Sequence, residues 1–303
     1  MNNSEILYLY DAKLTNPNGD PDEENRPRMD YDRSINLVSD LRLKRYIRDY
    51  MILNGEDIFV TGVNGEPVTA DKRISELPDK SEDWILSNWR DVRLFGATMT
   101  VKKDNRTYIG PVQFNWGYSL NEVELLEASI TSHFSSSESA TQGTIGKDFR
   151  VKYSLISFFG VISGNRAEKT RLTEEDVKFL DKAMKYAIPN LATRSKIGQY
   201  PRLYLRVEYI DNKTMLGDFR DLITLNINEN FKDVRSIKDT RDIRDIEECE
   251  LDITKLVEKL EKERSRINKI YYFHDDNLEL TVNGEKARDL KEVLSQFNLI
   301  EIE

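Results

Sequence analysis

The chain has 303 residues, 39% of them hydrophobic and 33% charged, with a formal net charge of −9. That is enough to bury a large core in one elaborated, soluble domain, and it excludes wholesale disorder. The single cysteine, Cys249, excludes an internal disulfide and a thiolate-rich zinc site. The longest apolar run, "YSLISFFGVIS" at 153–163, is too short to cross a bilayer, and "MNNSEILYLYDAK" lacks the basic start and apolar core of a signal peptide, so the expected setting is the cytoplasm.

In chain order, "ILYLYDAKL" (6–14) alternates as a strand does, and "NPNGDPDEENRPR" (16–28) follows as a turn-rich loop. A helix over 42–51 places Leu43, Tyr46, Ile47, Tyr50 and Met51 on one arc and Arg42, Lys44, Arg45 and Arg48 on the other. Residues 52–110 read as an insertion, too long for a simple connection, with a turn at "VNGEP" and a Trp-rich helical piece at "SEDWILSNWRDVRLFG". "YIGPVQFNWGYSL" (108–120) reads as strand, the Ser/Thr-rich 129–144 as a protruding segment, and "VKYSLISFFGVIS" (151–163) as strand again. Thr173 and Asp176 open a helix to about Ala187 with the spacing of a capping box, ending near Pro189. "RLYLRVEYI" closes the series as a strand. This is the order of a ferredoxin-like β-α-β-β-α-β unit, an α+β fold. The tail adds a charged helix near 250–270 and a hairpin around "LTVNGEKA".

Charge is uneven along the chain. Residues 141–206 hold thirteen Lys/Arg against six Asp/Glu, a net +7, and 211–303 hold sixteen against twenty-three, a net −7. A nucleic-acid site on the first region is compatible with the negative total because phosphate responds to the local field, although two ordinary solvated surfaces account for the numbers equally well. The loop 16–28 has oxygen side chains at Asn16, Asn18, Asp20 and Asp22, but an EF-hand register would put Pro21 and Pro27 where it needs its glycine and its bidentate glutamate. No metal or cofactor is expected. A rigid turn between a strand and a basic helix can instead pose a backbone for a phosphate chain. "LATRSKIGQYPR", with Arg194, Lys196 and Arg202 beside Gly198, supplies a second group of cations. His133 and His274 are the only histidines and stand in no catalytic spacing; a ferredoxin-like, metal-independent RNA endonuclease with His133 as general base is the alternative reading.

"NPNGDPDEENRPR", "LRLKRYIRDY", "DVRLFG", "GPVQF", "TIGKDFRVKYSLISFFG" and "LTEEDVKFLDKAM" leading to "TRSKIG" together resemble the backbone subunits that line the guide RNA in type I CRISPR surveillance complexes (Cascade), of the type I-B branch. The resemblance runs across about residues 5–210. It implies an RRM-like palm (1–50 and 108–210) interrupted by a thumb-like protrusion (119–150), a finger-like insertion (51–107) and a C-terminal α/β extension (211–303). It also implies a non-catalytic filament subunit whose partners are crRNA, target DNA through guide pairing, other copies of itself and other Cascade subunits, with no membrane. The RNA-binding residues it implies are Asn18, Arg28, Ser39, Arg42, Lys44, Arg45, Arg48, Lys147, Arg194, Ser195 and Lys196. Phe134, Ile145 and Phe149 on the protrusion are the candidate base wedges, exposed on an arm that orders over RNA.

Overall fold

The structure, a computed structural model, describes residues 1–63, 66–101, 104–131 and 145–303. Its centre is strand β1 (Ser4–Thr15), with helix α1 (Asp40–Leu53), strands β2 (Val112–Phe114), β3 (Gly117–Ser119), β4 (Leu125–Thr131) and β5 (Ile145–Ile162), helix α2 (Glu174–Asn190) and strand β6 (Gln199–Tyr209) arranged around it. β1 pairs antiparallel with β5 from Ser4↔Ile162 to Thr15↔Val151, and with β6 from Ser4↔Glu208 to Ala12↔Gln199. β2 and β3 then pair with the far side of β5.

β1 is apolar without a break from Ile6 to Tyr10 because both its faces are covered there. Ile6, Tyr8, Tyr10 and Ala12 meet α1 and α2, which contribute the arcs of Leu43, Tyr46, Ile47 and Met51 and of Val177, Leu180, Ala183 and Met184. Leu7 and Leu9, with Leu203, Leu205 and Val207 of β6, face the opposite way. There the tail covers them with Phe219, Ile243, Leu251, Leu256 and Leu280. Strand β7 (Ile267–His274) joins the central sheet beside β6, and β8 (Leu299–Glu301) lies parallel to β7. The expected helix near 250–270 is thus shorter, Thr254–Lys262, and its last part is strand; the expected hairpin is present as Glu279–Val282 against Glu285–Ala287.

α2 has its capping box: the Asp176 N–H donates to Thr173 Oγ1 (3.2 Å) and the Thr173 N–H to Asp176 Oδ2 (3.0 Å). The helix continues through Pro189 to Asn190, since a proline in the last turn removes only one donor. Asp176 also accepts from Arg90 Nε (2.9 Å) and Arg93 Nη2 (2.7 Å), tying the insertion to α2. The insertion has its own small core around Trp89, Ile74, Ile85 and Met99.

The expected strand over 108–120 is broken into the end of Asp104–Ile109, then β2 and β3. Gly110 is one reason: a Cβ there would lie 2.1 Å from the Phe95 carbonyl carbon, so the backbones meet where only glycine fits. β4 pairs with the first part of β5, Leu125↔Val151 to Thr131↔Ile145, and this hairpin runs on beyond the last β1 pair at Val151.

Candidate nucleic-acid interface

The loop after β1 is closed by its own side chains. Gly19↔Pro27 and Asp20↔Arg26 form a two-residue ladder, and Asp20 accepts from the Asp22 N–H (3.1 Å) and from Arg28 Nη1 (2.7 Å). Asn18 Oδ1 accepts from both the Ser39 N–H (2.9 Å) and Ser39 Oγ (3.0 Å), and Ser39 Oγ in turn caps α1 by accepting from the Arg42 N–H (3.2 Å). The loop is therefore stapled to the N-terminus of a fourteen-residue helix, where backbone N–H groups and the helix dipole favour an anion. Among the described residues no group of three or more His, Cys, Asp or Glu side chains is placed to hold a metal ion.

The cations of α1 do not form the exposed arc that their spacing suggested. Lys44 is only 6% exposed, with Nζ donating to Asp40 Oδ2 (3.0 Å) and Gln113 Oε1 (3.1 Å). Arg48 is 8% exposed and donates from Nε to Asp91 Oδ2 (3.2 Å); burial pulls its guanidinium below the usual range against the pull of Asp91. Both serve packing between α1 and the insertion or β2. Arg45 pairs with Asp49 near the surface. Arg42 lies over the Tyr46 ring at 4.0 Å beside the stapled loop, and its Nε has no hydrogen-bond partner among the described residues.

The connection 193–198 meets the same loop. The Asn16 N–H donates to the Ser195 carbonyl (3.0 Å), as does Thr15 Oγ1, so it is Ser195's backbone that is engaged. Lys196 Nζ donates to the Asn16 and Pro17 carbonyls, the latter at 3.2 Å. Burial, and then the nearby Arg42 guanidinium, push the Lys196 ammonium down to about 7. Gly198 has φ +99°, and a Cβ there would stand 2.6 Å from the Lys13 carbonyl oxygen, which fixes the close approach of connection and strand. Arg194 is turned outward, its side chain 63% exposed, and forks onto Asp148.

The hairpin root completes the rim. Lys147 stands half-exposed beside Glu127 (3.2 Å). Phe149 is not an exposed wedge: it is 4% exposed, under the Arg26 guanidinium at 4.4 Å. Its side chain alternates with Asp148 and Arg150 along the strand and lies on the side that the loop covers. Phe134, the Ile145 side chain and His133 lie outside the described residues. A cleft of about 270 Å³ opens between Asn16, Asn25, Lys147, Asp148, Arg194 and Ser195. The structure thus brings Asn18, Arg28, Ser39, Arg42, Lys147, Arg194, Ser195 and Lys196 to one end of the sheet. Sequence reasoning missed Arg26 and Arg150, whose Nη1 donates to the Leu14 carbonyl (2.7 Å); both lie in quoted motifs, but nothing in their spacing marks the contact. His274 is bonded to the Leu278 carbonyl within the tail.

No helix among the described residues is long and apolar enough to cross a membrane. A solved "CRISPR RNA-guided surveillance complex" contains a chain that superposes with a TM-score of 0.53 at 11% identity, over 98% of this chain and 94% of that one; a second, "pre-nicking", gives 0.53 at 13%, over 97% and 98%. A family model described as "CRISPR-associated protein Cas7" matches residues 2–254, and a "CRISPR-associated protein Cas7" of Haloferax volcanii is 37% identical over 320 aligned positions, covering 95% of this chain and 91% of that protein. The chain belongs to the CRISPR-associated protein Cas7 family. The family match passes well beyond residue 210, into the tail that carries no motif legible by eye.

Proposed function

We propose that this chain is a guide-RNA-binding backbone subunit of a type I-B CRISPR interference complex. It holds a segment of crRNA at the rim formed by the loop 16–28, the N-terminus of α1, the connection 193–198 and the root of the β4–β5 hairpin. Further copies of the chain and other Cascade subunits continue the assembly, and the guide's bases pair with target DNA. The protein reads backbone and shape, and base pairing reads sequence. The observation that carries the reading is the staple from Asn18 to Ser39 and from Asn16 to Ser195, which sets cations from three distant segments on one rigid rim.

The strand order β6-β1-β5-β3, with α1 and α2 on one face, supports a modified ferredoxin-like palm, with 51–107 as its finger and 119–150 as its thumb. The departure from an ordinary RRM is physical. An RRM stacks bases on an open sheet face, whereas here Leu7, Leu9, Leu203 and Leu205 of that face are buried under the tail, so RNA is held at the end of the sheet. The role is binding without catalysis, and labelled repeat RNA incubated with the protein should therefore stay intact with and without chelator; cleavage in either condition would overturn it. The test of the reading is salt-dependent binding to single-stranded RNAs of graded length, scored for oligomers. Stepwise growth with RNA length and a falling log K with log salt are expected; salt-insensitive binding, or one fixed species at every length, would overturn it.

A further inference from the structure

The exposed cations of the rim are already engaged by carboxylates. Arg194 donates from Nη1 to Asp148 Oδ2 (3.3 Å) and from Nη2 to Asp148 Oδ1 (3.2 Å), the two-pronged geometry with which a guanidinium also grips a phosphate. Arg150 donates from Nε to the same carboxylate (2.8 Å). Its Nη1 and Nη2 go to the carbonyls of Leu14 (2.7 Å) and Arg194 (3.4 Å), so its place is fixed by backbone as well as by Asp148. Lys147 repeats the pattern with Glu127 (3.2 Å), and Arg26 approaches Glu127 and Glu24 at 3.8 Å each. Burial pushes the Asp148 carboxyl up, but its bonds from Arg150 and Arg194 outweigh burial and hold it below the usual carboxylate range, so it is an anion at neutral pH.

We propose that Asp148 is an internal competitor for phosphate: it fills the fork of Arg150 and Arg194 in the free subunit, and RNA backbone enters by exchanging one anion for another. The inference rests on the RNA-binding reading above. Exchange is feasible here and not at α1, because Arg194 is exposed and its side chain has no other partner among the described residues, while Arg48 and Asp91 are both buried. The consequence is discrimination. A polyanion long enough to meet several rim cations at once outcompetes carboxylates held one by one, whereas a short or isolated phosphate does not. Glu127 acts in the same way on Lys147.

The test uses the full chain and a fluorescein-labelled single-stranded RNA of mixed sequence, with a melting curve for every variant. Asp148→Asn should bind RNA more tightly than the wild type. Its log K against log salt should steepen by about 0.7 for each guanidinium released to a phosphate. Arg194→Ala added to Asp148→Asn should remove most of that gain. If Asp148 merely ties the hairpin to the 193–195 connection, the variant melts earlier and binds no better, with an unchanged salt slope, and the proposal fails. Should Asp148→Asn not fold, Glu127→Gln decides in its place, since that carboxylate is half-exposed: tighter binding supports competition and unchanged binding overturns it. Wild-type binding with no gain in either variant defeats this inference alone. Absence of RNA binding in every protein defeats the RNA-binding reading and this inference with it.

Discussion

Two clusters of cations look alike in the sequence and differ in the fold. Those of α1, Lys44 and Arg48, are turned inward against Asp40, Gln113 and Asp91, and only Arg42 and Arg45 remain near the surface. Those of the rim, Arg28, Lys147 and Arg194, keep their partners at or near the surface, where solvent and other ions compete. A count of like charges on one arc reports how many cations a helix carries, not what neutralises them. Desolvation separates the two cases: a buried pair is strongly held because breaking it strands a charge, and an exposed pair exchanges with little loss.

The sharpest way to break that comparison is Arg48→Ala. It leaves Asp91 buried with, among the described residues, the Phe59 and Val60 N–H groups as donors, so unfolding free energy in urea should drop by about 3–5 kcal/mol, with the salt slope of RNA binding unchanged. A folded, fully stable variant with a slope reduced by about 0.7 would instead make Arg48 a phosphate contact. Phe149→Ala comes next. A buried aromatic lost from the hairpin root should cost roughly 3 kcal/mol, read as faster hydrogen exchange over Leu125–Thr131, and should loosen Arg26 above it. Normal exchange there would mean the ring does not hold the root. On the rim, Arg194→Ala should lower the salt slope by up to about 0.7 in the Asp148→Asn background and by less in the wild type, where Asp148 competes, and should leave the melting temperature unchanged, weakening unrelated RNA sequences equally. A loss confined to one sequence would argue for base readout.

How much was legible in advance follows the range of the interactions. α2 could be read because its signals are local, a capping box at Thr173 and Asp176 and an apolar stripe behind it. The tail hairpin could be read from Asn-Gly, with Asn283 and Gly284 at φ of 53° and 78°. β7 could not, because Glu263 to Arg266 continue a helical charge pattern with no glycine or proline before the strand. The stapled loop was legible as a turn, and its partners were not: Ser39 lies 21 residues beyond Asn18. Lys44 and Arg48 were misjudged for the same reason, since Gln113 and Asp91 stand 69 and 43 residues further along the chain. Phe149 was judged by its Ser/Thr-rich neighbours, but strand alternation and the returning loop decide its burial.

Lys196 stands between the two clusters, and it yields the smallest of the expected effects. Its ammonium is tied to loop carbonyls like an internal cation, yet it belongs to the rim. Burial lowers its affinity for the proton to about 7, against 10.5 for an ordinary lysine. Between those two values the unfolded chain holds the proton and the folded chain releases it, so this residue's contribution to stability rises with pH across that window, and its penalty is fully present below 7. A phosphate arriving at the rim acts oppositely, because it favours the charged ammonium. RNA affinity should therefore fall as pH rises through 7, by about threefold from 6.5 to 7.5 if about half a proton is taken up on binding. Lys196→Met should flatten that dependence and also remove the rise in stability toward alkaline pH. If the wild type binds RNA equally well on both sides of pH 7, Lys196 is a tether for the loop alone, and the rim begins at Arg194 and Arg42.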